Sequence, residues 1–147
     1  MKLPFHVDLT DKVALVTGGS GVLCSQFCRA LAACGAKVAI LNRNLENGQK
    51  LAREIGDNAM AVSADVLSRP ALEKARDLIE EKWGPVSILI NGAGGNNPKG
   101  TTDDEQYHQA ATDVKDFFKL DYEGIRFVFD LNFLGTLLPT QVFAKQM

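Results

Sequence analysis

The sequence has no surplus of positive charge: 16 Lys and Arg against 18 Asp and Glu leave a formal net charge of −2. Without a basic excess there is no electrostatic reason to expect nucleic acid or an anionic membrane as partner. Long hydrophobic runs are missing as well. No continuous apolar stretch approaches the ~20 residues that span a bilayer, so no membrane partner is expected. The opening Met-Lys-Leu-Pro-Phe-His-Val-Asp lacks the apolar h-region of a signal peptide. Cysteine is sparse, with 3 residues, all between Cys24 and Cys34 in one predicted helix. That odd count argues for free thiols in a reducing compartment rather than a disulfide framework, and for a cytoplasmic location. Cys24 and Cys28 share a helix face at i and i+4, but no further ligand type lies near them. No metal site is expected, and the pair reads as apolar packing. Internal repeats and low-complexity tracts are absent.

What is present fits one globular domain. At 147 residues with 46% hydrophobic and 23% charged content, the chain is long enough to bury a core. Val13-Ala-Leu-Val-Thr-Gly-Gly-Ser-Gly-Val-Leu-Cys24 is its most informative stretch. An apolar strand over 12–17 stops at three glycines, and a helix pattern over 22–34 begins directly after, closed by Gly35 at C′. Strands are predicted over 37–41, 58–64 and 86–90. Asn44 caps a helix to residue 55 with Leu45, Leu51 and Ile55 on its inner face, and Ser68 caps one to residue 83 with Pro70 in its first turn. Strands alternating with helices on short connections predict an α/β fold, a Rossmann-type doubly wound parallel sheet. Residues 96–122 break the rhythm as a long polar excursion, the kind that is usually functional or mobile. An apolar helix follows from Gly124, with Pro139 expected to kink it.

The strand–glycine–helix order is that of a dinucleotide site, where backbone N–H groups and the helix dipole hold a pyrophosphate. Gly18 permits the tight turn and Gly21 lets phosphate oxygens approach the backbone. Cys24 stands where a third glycine would allow close helix–strand packing. A glycine-rich turn without ligand is the competing reading. The end of the second strand carries Asn42 and Arg43 in place of the acidic residue that binds a ribose 2′-hydroxyl in NAD enzymes. No carboxylate repels a 2′-phosphate there, and a guanidinium is placed to pair with one, which favours NADP(H) over NAD(H). The alternative for Arg43 is a solvated surface charge.

Four co-ordered motifs carry a family resemblance. Thr17-Gly-Gly-Ser-Gly-Val-Leu, Asp65-Val66, Asn91-Gly-Ala-Gly and Asn132 within Leu-Asn-Phe-Leu-Gly135 resemble the short-chain dehydrogenase/reductase family over essentially the whole chain. The phrases Asn-Gly-Ala-Gly-Gly-Asn-Asn-Pro and Phe-Val-Phe-Asp-Leu-Asn-Phe-Leu-Gly-Thr are similar, more narrowly, to sugar-acid reductases of the D-mannonate/fructuronate type. The resemblance implies hydride transfer between a nicotinamide and a secondary alcohol or ketone. It assigns Thr17, Gly18, Ser20, Gly21, Val22 and Leu23 to the phosphate turn. Asp65 would accept from the adenine amino group with Val66 packed on the ring, and Asn91, Gly92, Ala93 and Gly94 would line the cofactor. Loop capping is the alternative for Asp65, a plain turn for the glycines. Asn132 would belong to the catalytic tetrad, kinking its helix and holding a water of the proton relay. The Gly18, Gly21, Cys24 spacing also resembles that of sugar-nucleotide epimerases, a minor alternative.

The resemblance also implies a tyrosine with a lysine four residues on, and a serine. Tyr107 is followed at that distance by Ala111 and Tyr122 by Arg126, both before the Asn132 helix. The chain is therefore expected to be a C-terminally incomplete, cofactor-binding part of a larger oxidoreductase, inactive alone. A nucleotide-binding pseudoenzyme or sensor, and an interaction protein dimerising through its apolar helix, are the competing classes. Residues 96–122 are the candidate substrate lid, with Lys99 a candidate for a substrate carboxylate. The family usually forms tetramers, so a homo-oligomer is expected of the full-length parent.

Overall fold

The computed structural model describes residues 7–109 and 113–147. Residues 1–6, which bear on the signal-peptide reading, and residues 110–112 of the long excursion, including Ala111, lie outside the described residues.

Four strands, β1 (Val13–Thr17), β2 (Lys37–Asn42), β3 (Ala59–Ser63) and β4 (Ile88–Asn91), form one parallel sheet in the order β3-β2-β1-β4. The central strand shows why. All five residues of β1 are buried, because helices cover both faces of the sheet. Val13 and Leu15 join a core with Leu72, Ala75 and Ile79 of α3 (Arg69–Trp83) and Val142 and Phe143 of α5 (Gly135–Phe143). Ala14 and Val16 point the other way, to Cys24 and Cys28 of α1 (Val22–Ala33) and Leu51 of α2 (Leu45–Ile55). Side chains alternate with period two, so one apolar strand feeds two cores. The doubly wound architecture is as expected.

The predicted caps are present. Asn44 Oδ1 accepts from Glu46 N at 2.9 Å, Ser68 Oγ accepts from Ala71 N at 3.4 Å, and Gly35 closes α1 at φ +97°. Boundaries move by one or two residues. β4 begins at Ile88 because Ser87 pairs its hydroxyl with the Val13 backbone, accepting from N at 3.1 Å. The inner face of α2 also differs from expectation. Leu45 is 39% exposed, whereas Gly48 is buried, its missing side chain leaving room for Ala61 of β3.

The C-terminal helical stretch departs most from expectation. α4 (Tyr122–Phe129) starts two residues early because Asp121 caps it, its carboxylate accepting from Gly124 N at 2.9 Å. Five residues of π-helix, Asp130–Leu134, then connect α4 to α5. The α5 helix passes through the buried Pro139 without interruption, so the irregularity lies at Asn132 and not at the proline. The whole helical run Tyr122–Gln146 is, by length and composition alone, long and apolar enough to cross a membrane. Its Val142 and Phe143 are nevertheless core residues of the sheet.

The excursion of residues 96–122 is better tied than its sequence suggested. Asp103 and Lys115 bond reciprocally, Asp103 N to Lys115 O and Lys115 N to Asp103 Oδ2 at 2.9 and 2.8 Å. The Lys115 ammonium also donates to Pro98 O at 2.6 Å. These contacts hold the Asp103 carboxyl below the usual carboxylate range, the Lys115 backbone bond being the largest cause. At the base, Asp121 N donates to Lys99 O, and Gly100 lies directly against Gly124.

Candidate functional site

The strand order reverses between β1 and β4, and in open α/β sheets ligands bind at the carboxyl ends of the strands beside such a point. A cleft of ≈ 240 Å³ lies there. Its floor comes from Gly18 and Gly21 on one side and Gly92, Ala93 and Gly94 on the other. Gly18 has φ +63°, and a Cβ on it would stand 2.9 Å from the Ala93 Cα. Only glycine satisfies both the dihedral and the approach.

The turn's own amides are already used. Gly19 N donates to Leu41 O, Ser20 N to Asn42 Oδ1 at 3.2 Å, and Gly21 N to Gly18 O at 2.9 Å. The first-turn amides of α1, at Val22, Leu23 and Cys24, have no intrahelical acceptor, as at any helix start. Gly21 at the N-cap offers no side chain to them, and the first turn carries no acidic residue. Val22 and Leu23 are 88% and 72% exposed. This helix start is therefore open to an anion.

Thr17 was expected to touch cofactor. It is fully buried instead, and its Oγ1 accepts from both Gly92 N and Ala93 N at 3.1 Å. It fixes one glycine loop against the other from beneath the cleft. Cys24 completes the fit. Its sulfur lies 3.8 Å from Gly92 O, in space that a side chain on Gly92 would claim. Burial pushes the Cys24 thiol up, and pushes Cys28, 3.6 Å from Gly19 O, up to about 12.

The rim holds the residues expected to choose the nucleotide. Asn42 and Arg43 line the cleft, as do Leu41, Ala64, Val66 and Leu131. Among the described residues, the exposed Arg43 guanidinium has no ion pair. Asp65 stands just outside the lining and caps its own loop, Oδ1 accepting from Leu67 N at 2.9 Å. Among the described residues, its second carboxylate oxygen has no such role.

Asn91 also turns away from the cleft: its Nδ2 donates to Thr140 Oγ1 of α5 at 3.0 Å. Asn132, in the π-helical turn, clamps Gly95. Oδ1 accepts from Gly95 N at 3.2 Å and Nδ2 donates to Gly95 O and Val128 O at 2.8 Å. The residue is exposed, so these bonds position the loop and do not rescue a buried amide.

The structure thus brings Gly18, Gly21, Asn42, Arg43, Val66 and Gly92 to Gly94 together. It places Thr17, Ser20, Asn91 and Asn132 as braces around them. Leu41 and Ala64 were missed, though both end apolar strand segments whose carboxyl ends face the crevice. Leu131 had no such signal, because nothing in the sequence shows that the π-helical turn reaches the sheet. Among the described residues, no group of three or more His, Cys, Asp or Glu is placed to hold a metal.

Comparison with known proteins agrees with this geometry. The chain is 49% identical over 148 residues to the uncharacterized oxidoreductase UxuB of Bacillus subtilis (strain 168), covering 99% of this chain and 53% of that protein. It is 30% identical to a sorbitol dehydrogenase of Cereibacter sphaeroides, covering 95% and 48%. A candidate D-mannonate oxidoreductase from Haemophilus influenza, solved with bound NAD, superposes with a TM-score of 0.92 at 47% identity, covering 96% of this chain and 52% of that one. A 3-ketoacyl-(acyl-carrier-protein) reductase from Brucella melitensis, complexed with NADH, gives a TM-score of 0.72 at 29% identity, covering 91% and 49%. The chain spans about half the length of the curated relatives it matches. A family model for short chain dehydrogenase matches residues 12–147, and the chain belongs to that family.

Proposed function

We propose that the cleft binds a nicotinamide dinucleotide and that the chain is the cofactor-binding part of an oxidoreductase acting on a sugar acid. One observation carries the binding: an uncapped helix start, with no acidic residue in its first turn, opens beside a cleft floored by Gly18 and Gly92 to Gly94. The α1 amides hold the diphosphate, Val66 packs on the adenine, and the second oxygen of Asp65 accepts from its amino group. Bound, the nicotinamide gives or takes a hydride at a secondary alcohol or ketone. Asn132 keeps the Gly95 loop in place beside that chemistry and holds a water of the proton relay.

Arg43 favours NADP(H), since no carboxylate lines the cleft at the end of β2. The Haemophilus influenza structure holds NAD, so the ratio of the two affinities is the quantity to measure. The sugar-acid reading rests on that neighbour's name and on Lys99, whose ammonium would meet a substrate carboxylate at the base of the 96–122 lid. Assembly into a homo-oligomer through the exposed Phe129 and Phe133 of the C-terminal helices, and work in the reducing cytoplasm, belong to the same reading.

Titration of the purified protein with NADPH and NADH, followed by nucleotide fluorescence, tests it. Both are expected to bind, NADPH more tightly, and Gly18→Val is expected to abolish binding of both. Wild-type protein that binds neither dinucleotide would remove the proposal.

A further inference from the structure

The end of β2 does two jobs that the sequence presents as one. Asn42 occupies the position where an acidic residue would read the ribose 2′-hydroxyl, but its side-chain oxygen is already committed. It accepts from Ser20 N, while the preceding residue of the same strand, Leu41, accepts from Gly19 N through its backbone. Two successive amides of the glycine turn are thereby tied to β2. The arrangement has a counterpart on the other side: a Cβ on Gly48 of α2 would stand 3.4 Å from Asn42 Oδ1 and 3.1 Å from the Ala61 Cβ. The Ala61 contact is the tight one, so the glycine lets α2 approach β3 while Asn42 Oδ1 stays at ordinary van der Waals distance.

Resting on the cofactor reading above, we infer that Asn42 is a positioning residue for the glycine turn, setting the affinity for NAD(H) and NADP(H) alike, and that discrimination at the 2′-position falls to Arg43 alone. The Asn42 carboxamide holds the Ser20 amide away from any ligand. The diphosphate must then be held by the first turn of α1, whose amides are aimed only if the turn keeps its shape. Arg43, one residue on, lines the cleft and has no ion pair among the described residues, so its charge remains available to a 2′-phosphate.

The test separates the two roles with amide exchange and paired titrations of the purified protein. Asn42→Leu keeps the side chain's size and removes the acceptor. Ser20 N–H exchange in the free protein is expected to accelerate about fivefold or more, the worth of one lost hydrogen bond. Dissociation constants for NADH and NADPH are expected to rise together, about fivefold each, with their ratio unchanged within about twofold. Asn42→Asp, which restores an acceptor, is expected to restore Ser20 protection. Arg43→Ala is expected to leave NADH binding within about twofold and weaken NADPH about tenfold.

Unaltered Ser20 exchange in Asn42→Leu would overturn the brace, and a shifted NADPH/NADH ratio in that variant would overturn the division of labour. Exchange needs no nucleotide, so wild-type protein that binds neither dinucleotide while Ser20 responds to the substitution would instead sink the cofactor reading and the affinity role with it.

Discussion

The sulfur of Cys24 and the missing side chain of Gly92 are two halves of one contact. Helix α1 carries a thiol where its fold allows a glycine, and the opposing loop gives up its own Cβ to admit it. Gly92→Ala puts a methyl 2.2 Å from the sulfur and is expected to lower stability by about 1–3 kcal/mol, as overpacking does. Adding Cys24→Gly vacates that space and should return most of the loss. Thermal melts of the two single variants and the pair would show it, and simple additivity would refute the coupling.

Thr17 makes a second prediction. Thr17→Val keeps the shape and strips the acceptor from Gly92 N and Ala93 N. Gly92 is exposed and Ala93 half-buried, so water takes over part of the lost bonding and the cost is about 0.5–1.5 kcal/mol for each bond. Thr17→Ser keeps the oxygen and should lose only the methyl contribution, roughly 1 kcal/mol. Denaturant midpoints for both variants check the order.

Asn132→Leu removes the bonds to Gly95, and faster amide exchange at Gly95 is the expected signature. Gly94→Ala should act similarly, since its Cβ would come within 2.6 Å of Asn132 Oδ1. If Gly95 stays equally protected in both variants, the clamp is not what holds this loop.

Burial raises the Cys28 thiol from an ordinary value of 9.0 to about 12 in the folded protein. Its stabilising share is intact below pH 9 and is lost as pH climbs through the folded value, because the unfolded chain releases the proton first. Stability should fall by up to about 1.4 kcal/mol per pH unit in that window from this group. Cys28→Ala should flatten the slope. An identical slope in denaturation series run upward from pH 9 would contradict the assignment.

Neither tyrosine has a lysine four residues on, and both lie before Asn132 in the chain. The purified 147-residue polypeptide is expected to bind nucleotide yet leave mannonate, fructuronate and simple alcohols untouched. Change in nicotinamide absorbance with any of them, in material free of host reductases, would count against this.

The sheet was legible because β1 and β2, buried on both faces, are continuous apolar runs, and the half-buried β3 and β4 keep the same apolar character. Gly18 and the Gly92 to Gly94 loop were readable for the same reason: chain order puts both at carboxyl ends of neighbouring strands. The roles of Thr17, Asn42 and Asn91 were not, since each hydrogen-bonds across 22 to 76 positions of sequence, as Thr17 does to Ala93. Residue type there suggested a ligand, and nothing in the sequence showed that each also holds a backbone or side-chain partner. The α4 start was missed because Asp121 sits among acidic and aromatic residues that hide a cap.

The five π-helical residues before Gly135 have a consequence for reading this chain's hydrophobic rhythm. A helix wheel drawn at a constant pitch from Tyr122 slips out of phase there, since each extra residue turns an α-helix by about 100°. Val142 and Phe143, which reach the sheet, would be plotted on the wrong flank. Deleting one residue within Asp130–Leu134 would cancel that offset, restoring an unbroken pitch with the anchoring pair still on its seat.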